Sequence, residues 1–290
     1  MPEPVPSLSG WLEVEDRRIF WEYFGDRRQP PVCLLNGLAM HTKAWYPFLD
    51  RLRPDYDVLL FDYPGQGEST CRDEPCTLPG LATYLRLIAD SLHLERLHLV
   101  GVSYGGFVAE EFARLYQQRL LTLTLSGILL SHEALFDLYQ ALSLRFYRGG
   151  SAAFELYTHY MYEKIFGEDF VRRMGAARLE TMRQRFYERY SERVFCLIRL
   201  TEAQDPFFAA LDELLPHYRA IRVPTLVMPG ADDRAIPPAA QRKICDIIPG
   251  AQWSPIPHSG HVVYLEQPEE FWSRLRDFMT AATGAARLQS

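Results

Sequence analysis

The sequence predicts an α/β fold: a mostly parallel, doubly wound sheet of about eight strands with a helical segment inserted into it. Two observations lead there. Short apolar runs recur without alternation at Val32–Leu35, Val58–Phe61, Leu97–Val100, Leu121–Leu125, Thr225–Met228 and, more weakly, Gln252–Ile256. Continuous runs of this kind mark strands covered on both faces, as in parallel sheets. Amphipathic patterns at helical spacing stand between or after them, at Leu78–Leu92, Tyr104–Tyr116 and Glu269–Met279. Strand–helix alternation is what such a sheet requires.

The remaining elements follow in chain order. Trp11 to Phe24 alternates well enough for two strands, with a turn near Glu15–Asp16. From His132 to Tyr218 no strand stands out, and the pattern is helical with turns near Gly149–Gly150 and Gly167. That stretch of 87 residues holds 17 of the 33 Phe and Tyr residues and none of the Trp. It falls between two strands, so residues 1–131 and 219–290 are expected to form one core and residues 132–218 a helical cap, or lid, over it. The tail from Ala281, small residues around Gly284, is expected to fray.

Composition narrows the function classes. The 290 residues carry a formal net charge of −6, with 48% apolar and 23% charged residues. No basic run offers a footprint for nucleic acid or an anionic membrane. The cysteines, Cys33, Cys71, Cys76, Cys196 and Cys245, are odd in number and form no Cys-x-x-Cys pair. Neither a disulfide framework nor a zinc site is expected. The first ten residues lack the basic and apolar regions of a signal peptide, and no apolar run approaches membrane-spanning length. A soluble, cytoplasmic protein is expected.

The strongest chemical signal is Gly101-Val102-Ser103-Tyr104-Gly105-Gly106, which follows one apolar run and opens a helix. This is the context of a nucleophile elbow, in which a serine sits in a strained strand-to-helix turn. Side chains two positions either side would clash, so small residues are needed there. The helix start behind Ser103 favours negative charge developing in front of it. A serine hydroxyl needs a base to take its proton. Among the eight histidines, His258 and His261 lie in a loop after the last expected strand, where such sheets place functional groups. His261, which follows Gly260 and precedes Val262-Val263-Tyr264-Leu265, is preferred. An acid should orient that imidazole. The end of the Thr225–Met228 strand offers two adjacent carboxylates, Asp232 and Asp233, in the segment running on to Arg234 and Pro237. One can face the histidine, and the other caps the loop or pairs with Arg234.

These residues, in this order, resemble the α/β-hydrolase superfamily over nearly the whole chain. The acid loop of related members reads Gly-x-x-Asp-x-x-x-Pro, which selects Asp233, four residues before Pro237, over Asp232. Members that take the acid after the sixth strand would point to residues 126–131, where there is no Asp and Glu133 follows. Leu35-Asn36-Gly37-Leu38 resembles the oxyanion loop, commonly His-Gly-x, and implies that the backbone N–H groups of Leu38 and Tyr104 face the oxyanion. Asn36 stands where histidine is common. Asp62-Tyr63-Pro64-Gly65-Gln66-Gly67-Glu68-Ser69 resembles a structural turn of the family, so Asp62 and Ser69 are not expected to do chemistry. His41 and Trp45 are expected on a first helix, Trp45 in the core, with His41 also open as a pocket residue. Tyr104, exposed beside the nucleophile, and Val263 are the other expected substrate contacts.

The resemblance implies an esterase-like serine hydrolase that cleaves a carboxylic ester, thioester or lactone of a small, largely apolar substrate. It implies neither metal nor cofactor. Two alternatives stand beside it. The Asn-Gly loop is similar to that of members that move hydroxyacyl groups between carrier thioesters, which would make the chain an acyltransferase with the same three residues. A ligand-binding receptor or inactive scaffold can also occupy this fold. Ser103 argues against haloalkane dehalogenases and epoxide hydrolases, which normally carry Asp at that position. The expected partner is a small acyl molecule, with neither nucleic acid nor membrane. No motif encodes the substrate's identity or the oligomeric state.

Overall fold

The computed structural model describes residues 3–287. Its strands are β1 (Leu8–Val14), β2 (Arg17–Phe24), β3 (Pro31–Leu35), β4 (Asp57–Phe61), β5 (Leu97–Val102), β6 (Leu120–Ser126), β7 (Thr225–Val227) and β8 (Gln252–Trp253). They form one sheet in the order β1-β2-β4-β3-β5-β6-β7-β8. Only β2 runs antiparallel to its neighbours; β3 to β8 are mutually parallel. The central strands are buried along their length, as their unbroken apolar runs require, whereas the edge strand β1 alternates. The last expected strand is shorter than its apolar run. β8 ends at Trp253, and beyond it Ile256 makes a single bridge to Gly230.

The helices are α1 (Leu78–Ser91), α2 (Tyr104–Tyr116), α3 (Ala134–Arg148), α4 (Ser151–Ile165), α5 (Glu168–Tyr190), α6 (Val194–Glu202), α7 (Asp205–Ala209), α8 (Leu211–Arg219), α9 (Pro238–Ile247), α10 (Val263–Glu266) and α11 (Pro268–Arg287). Helix α1 starts where it does because Thr77 caps it, its hydroxyl accepting the Gly80 N–H, and Pro79 fits the first turn. Helices α1, α2 and α9 cover one face of the sheet. The other is covered by α11 and a 3-10 segment, Thr42–Arg51, with Trp45 and Trp272 fully buried between them. Apolar surface is thus removed from water on both faces, each large side chain contributing about 1.5–3 kcal/mol. The tail expected to fray from Ala281 continues α11 to Arg287 instead, and residues 288–290 lie outside the described residues.

Helices α3 to α8 all lie between β6 and β7. The chain turns at Gly149–Gly150 and at Gly167, and α5 bends at Gly175, where φ is +71°. Tyr147, Phe154, Tyr157, Tyr190 and Leu197 give this insertion a small core of its own. Part of its aromatic content therefore holds the helices together. Cys196 of α6 meets Cys71 in the loop after β4, their sulfur atoms 2.9 Å apart. Among the described residues no helix is long and apolar enough to cross a membrane.

Candidate active site

Ser103 lies between β5 and α2 with φ 51° and ψ −127°. That conformation costs an ordinary residue about 1–3 kcal/mol and persists only where the surroundings impose it. The neighbouring glycines show how it is imposed. A Cβ on Gly101 would lie 2.6 Å from the Gly105 carbonyl oxygen, and one on Gly105 would lie 2.6 Å from that of Leu35. A Cβ on Gly106 would strike Ile128 at 2.1 Å. The turn is therefore packed from three sides, and Ser103 Oγ stands at the sheet's C-terminal edge.

The structure brings the three sequence-selected residues together. Ser103 Oγ is 2.8 Å from His261 Nε2, and His261 Nδ1 is 2.8 Å from Asp233 Oδ2. A carboxylate only accepts, so Nδ1 carries the proton and Nε2 is left to accept from the serine hydroxyl. Asp233 is itself held. Its Oδ1 accepts the N–H groups of Ala235 and Ile236, both at 2.9 Å, and its Oδ2 accepts Gln241 Nε2 at 3.0 Å. His261 is buried, and burial alone favours the neutral ring. The Asp233 carboxylate, its hydrogen bond and the nearby Glu266 outweigh that, and the imidazole pKa lies above its ordinary value.

The other candidate acids and bases stand elsewhere. Asp232 is exposed and does not pair with Arg234, which reaches the carbonyl oxygens of Glu163 and Phe166 in the insertion. His258 is exposed and pairs with Asp169 at 3.2 Å. Glu133 pairs with Lys243. Asp62 anchors the turn after β4 by accepting the N–H groups of Thr42 and Glu68, and Ser69 bonds back to the Asp62 carbonyl. Both are structural.

A cavity of about 280 Å³ opens over Ser103 and His261. Leu38 and Tyr104 line its floor, and neither backbone N–H has a hydrogen-bond partner among the described residues. Gly37, whose Cβ would sit 3.5 Å from Ser103 Cβ, brings the Leu38 peptide against the serine. Asn36, in the position where histidine is common in the family, is fully buried. Its amide donates to the Phe61 carbonyl at 3.0 Å, and its oxygen accepts Trp45 Nε1 at 2.7 Å. It holds the loop and does not face the cavity.

Two expected substrate contacts are corrected. His41 does not line the cavity. The chain turns tightly, Met40 N–H donating to the Gly37 carbonyl, so that Met40 enters the cavity and His41 stands just before the 3-10 segment, outside it. Burial, with Arg189, Lys43 and Arg193 nearby, pushes the His41 pKa down to about 4. Val263 begins α10 and turns into the core beside α11, leaving Val262, Tyr264 and Leu265 at the cavity. Tyr104 does line the cavity, yet its side chain is packed against Tyr63 with only 3% exposed, so it is not the open contact expected.

Three residues that support the site escaped the sequence reading. Gln241 links Asp233 to the Gly127 N–H, which donates to its Oε1 at 2.8 Å. Gly127, at φ +68°, leaves the space the His261 ring occupies. Glu266 is buried and accepts three backbone N–H groups, those of Gly167, Gly260 and Val262. Burial pushes its pKa up, and those three bonds oppose the rise. The His261 N–H, in turn, donates to the Ile165 carbonyl at the end of α4 at 2.7 Å. The loop carrying His261 is thus fastened to the insertion that roofs the cavity.

Known proteins share this architecture. Residues 30–268 match the family model described as alpha/beta hydrolase fold. Over 275 residues the chain is 26% identical to the pyrrolizixenacetamide deacetylase of Xenorhabdus hominickii, covering 92% of this chain and 97% of that protein. A shorter match, 31% identical over 125 residues, is to the poly(3-hydroxyalkanoate) depolymerase of Ectopseudomonas oleovorans; it spans 43% of this chain and less than half, 44%, of that protein. Among solved structures, MGS-M2, an alpha/beta hydrolase enzyme from a Medee basin deep-sea metagenome library, superposes with a TM-score of 0.83 at 22% identity, covering 95% of this chain and 97% of that one.

Proposed function

The chain belongs to the α/β-hydrolase family, and from that premise we propose that it is a serine hydrolase cleaving a carboxylic ester or related acyl bond of a small molecule. The observation that carries the reading is the unbroken chain from Ser103 Oγ through His261 to Asp233, each link 2.8 Å, beneath a roofed cavity. Relatives named as a deacetylase and a depolymerase agree with acyl cleavage. The expected setting is the cytoplasm, in keeping with five free thiols.

Ser103 Oγ attacks the substrate carbonyl carbon as its proton passes to His261 Nε2. The N–H groups of Leu38 and Tyr104 stabilise the oxyanion, a contribution of about 10²–10³ in rate for each donor. The imidazolium, stabilised by Asp233, gives its proton to the leaving group, and an acyl group remains on Ser103. Water then attacks that acyl group with His261 again as base, releasing the acid and restoring the serine. Acyl transfer would differ only in the acceptor. Asn36, part of the loop that suggested it, is buried and bonded to Trp45, Phe61 and Asp62.

A fluorophosphonate probe should label the native protein and leave Ser103→Ala unlabelled. Turnover of a short p-nitrophenyl ester should vanish in the same variant, and undiminished turnover would sink the proposal. An alcohol or thiol acceptor should give no ester or thioester product.

A further inference from the structure

We propose that Cys71 and Cys196 form a redox modification site, closed by exchange with a low-molecular-weight disulfide of the glutathione class, and that the bond so formed straps the helical insertion to the sheet core. The two free thiols are 125 positions apart in the chain, yet their sulfur atoms stand 2.9 Å from each other. A disulfide bond is about 2.05 Å long, so the sulfurs need to close by less than about 1 Å. No other pair of cysteine sulfurs makes such a contact among the described residues. Each thiol is held from its own side. Cys71 follows Thr70, whose N–H donates to the Arg18 carbonyl of β2, whose hydroxyl accepts the Arg18 N–H, and whose carbonyl accepts the Gly65 N–H. Cys196 lies in the first turn of α6 and fills the space left by Gly65, at φ +81°, where a Cβ would lie 2.6 Å from the cysteine Cβ.

The loop after β4 meets α6 at further points. Asp73 accepts Arg199 Nε at 2.7 Å, and Cys76 Sγ lies 3.8 Å from the Arg199 carbonyl oxygen. The Asp73 carboxylate is exposed, and an ion pair of that kind holds a seam only weakly. Helix α6 carries Thr201, and Gln204 follows it; both line the cavity over Ser103. A covalent bond at Cys196 therefore fixes one wall of that cavity to the core. Cys71 is half-buried and Cys196 buried. Burial and the neighbouring Cys71 sulfur hold the Cys196 thiol above the range of free cysteine, so Cys71 opens the exchange. Its thiolate attacks one sulfur of the small disulfide, whose S–S bond breaks; one small thiolate leaves, and a mixed disulfide remains on Cys71. Cys196 then loses its proton to solvent and attacks Cys71 Sγ, and the second small thiolate leaves. The two cysteine sulfurs are oxidised and the small disulfide is reduced to two thiols. Excess small thiol reverses both steps, which suits a compartment where disulfides are transient.

The test uses the full chain, reduced, freed of reductant and incubated with excess glutathione disulfide in the absence of denaturant. Intact mass, free-thiol titration and peptide mapping read the outcome. The protein should lose two thiols, become two hydrogens lighter and yield a cross-linked peptide joining Cys71 to Cys196, all reversed by dithiothreitol. Its melting temperature should rise by at least about 3 °C, because a bond closing so long a loop constrains the unfolded chain. Cys71→Ser should abolish both the bond and the rise. In Cys196→Ala, shown to be folded by its circular-dichroism spectrum, the exchange should stop at a glutathione adduct on Cys71, again without the rise. A bond between any other two cysteines, a glutathione adduct that persists on Cys71 of the native chain, no loss of thiols, or a Cys71–Cys196 bond that leaves the melting temperature unchanged overturns the proposal. None of these readouts depends on turnover, so failure of the hydrolase reading shows separately, as absence of fluorophosphonate labelling at Ser103.

Discussion

The His261 ring and Gly127 approach so closely that a Cβ at residue 127 would lie 2.7 Å from the imidazole Cε1. Gly127 also has φ +68°, which an L side chain rarely adopts. Gly127→Ala should displace the ring from Ser103 and lower kcat by about 10²-fold, with KM changed far less. Steady-state kinetics beside the fluorophosphonate labelling rate checks this; unchanged kcat in a folded variant would refute it.

Asp233 and Asp232 should behave oppositely. The N–H groups of Ala235 and Ile236 both point at Asp233 Oδ1. They would hold the oxygen of an Asn side chain there and turn its NH₂ toward His261. The imidazole would then adopt the tautomer protonated on Nε2, which cannot accept the serine proton. Asp233→Asn should lower kcat by about 10⁴-fold. Exposed Asp232→Asn should stay within a few-fold of the native rate.

The pH profile follows from His261. Only the neutral imidazole accepts the Ser103 proton, and its pKa is raised by Asp233 and Glu266 against burial. kcat/KM should therefore fall as pH drops, with the acid limb centred above the ordinary imidazole value of about 6.5. Measuring kcat/KM with an uncharged ester gives the limb directly, and a midpoint below that value contradicts the assignment.

Glu266→Ala should act on stability and rate together. It leaves the N–H groups of Gly167, Gly260 and Val262 without their acceptor. Each buried donor costs about 1–3 kcal/mol when unpaired. The melting temperature should fall by several degrees and kcat should drop with it, because Gly260 and Val262 flank His261. A variant of native stability and native kcat would show that the carboxylate is idle.

What could be read in the sequence was local. The Ser103 turn depends on glycines within three residues of it, and Asp233 is marked by its spacing to Pro237. The supporting shell could not be read this way. Gln241 meets Gly127 across 114 positions of chain, and Glu266 meets Gly167 across 99. A Gln on a helix and a Glu near a chain end carry no local sign of such partners. The misplaced contacts arose from details of the path. Met40 enters the cavity because the turn at Gly37 is one residue tighter than a helix start, and α10 sends Val262 rather than Val263 to the wall. The aromatic insertion was visible by composition, but which of its side chains reach the cavity depends on how α3 and α4 dock.

The bond from the His261 N–H to the Ile165 carbonyl ties the loop that carries the imidazole to the end of α4. The position of that ring beside Ser103 therefore depends on how the helical insertion sits on the sheet, as well as on the loop's own sequence. A substitution that loosens the end of α4 reaches the site through the backbone, without touching any side chain that lines it.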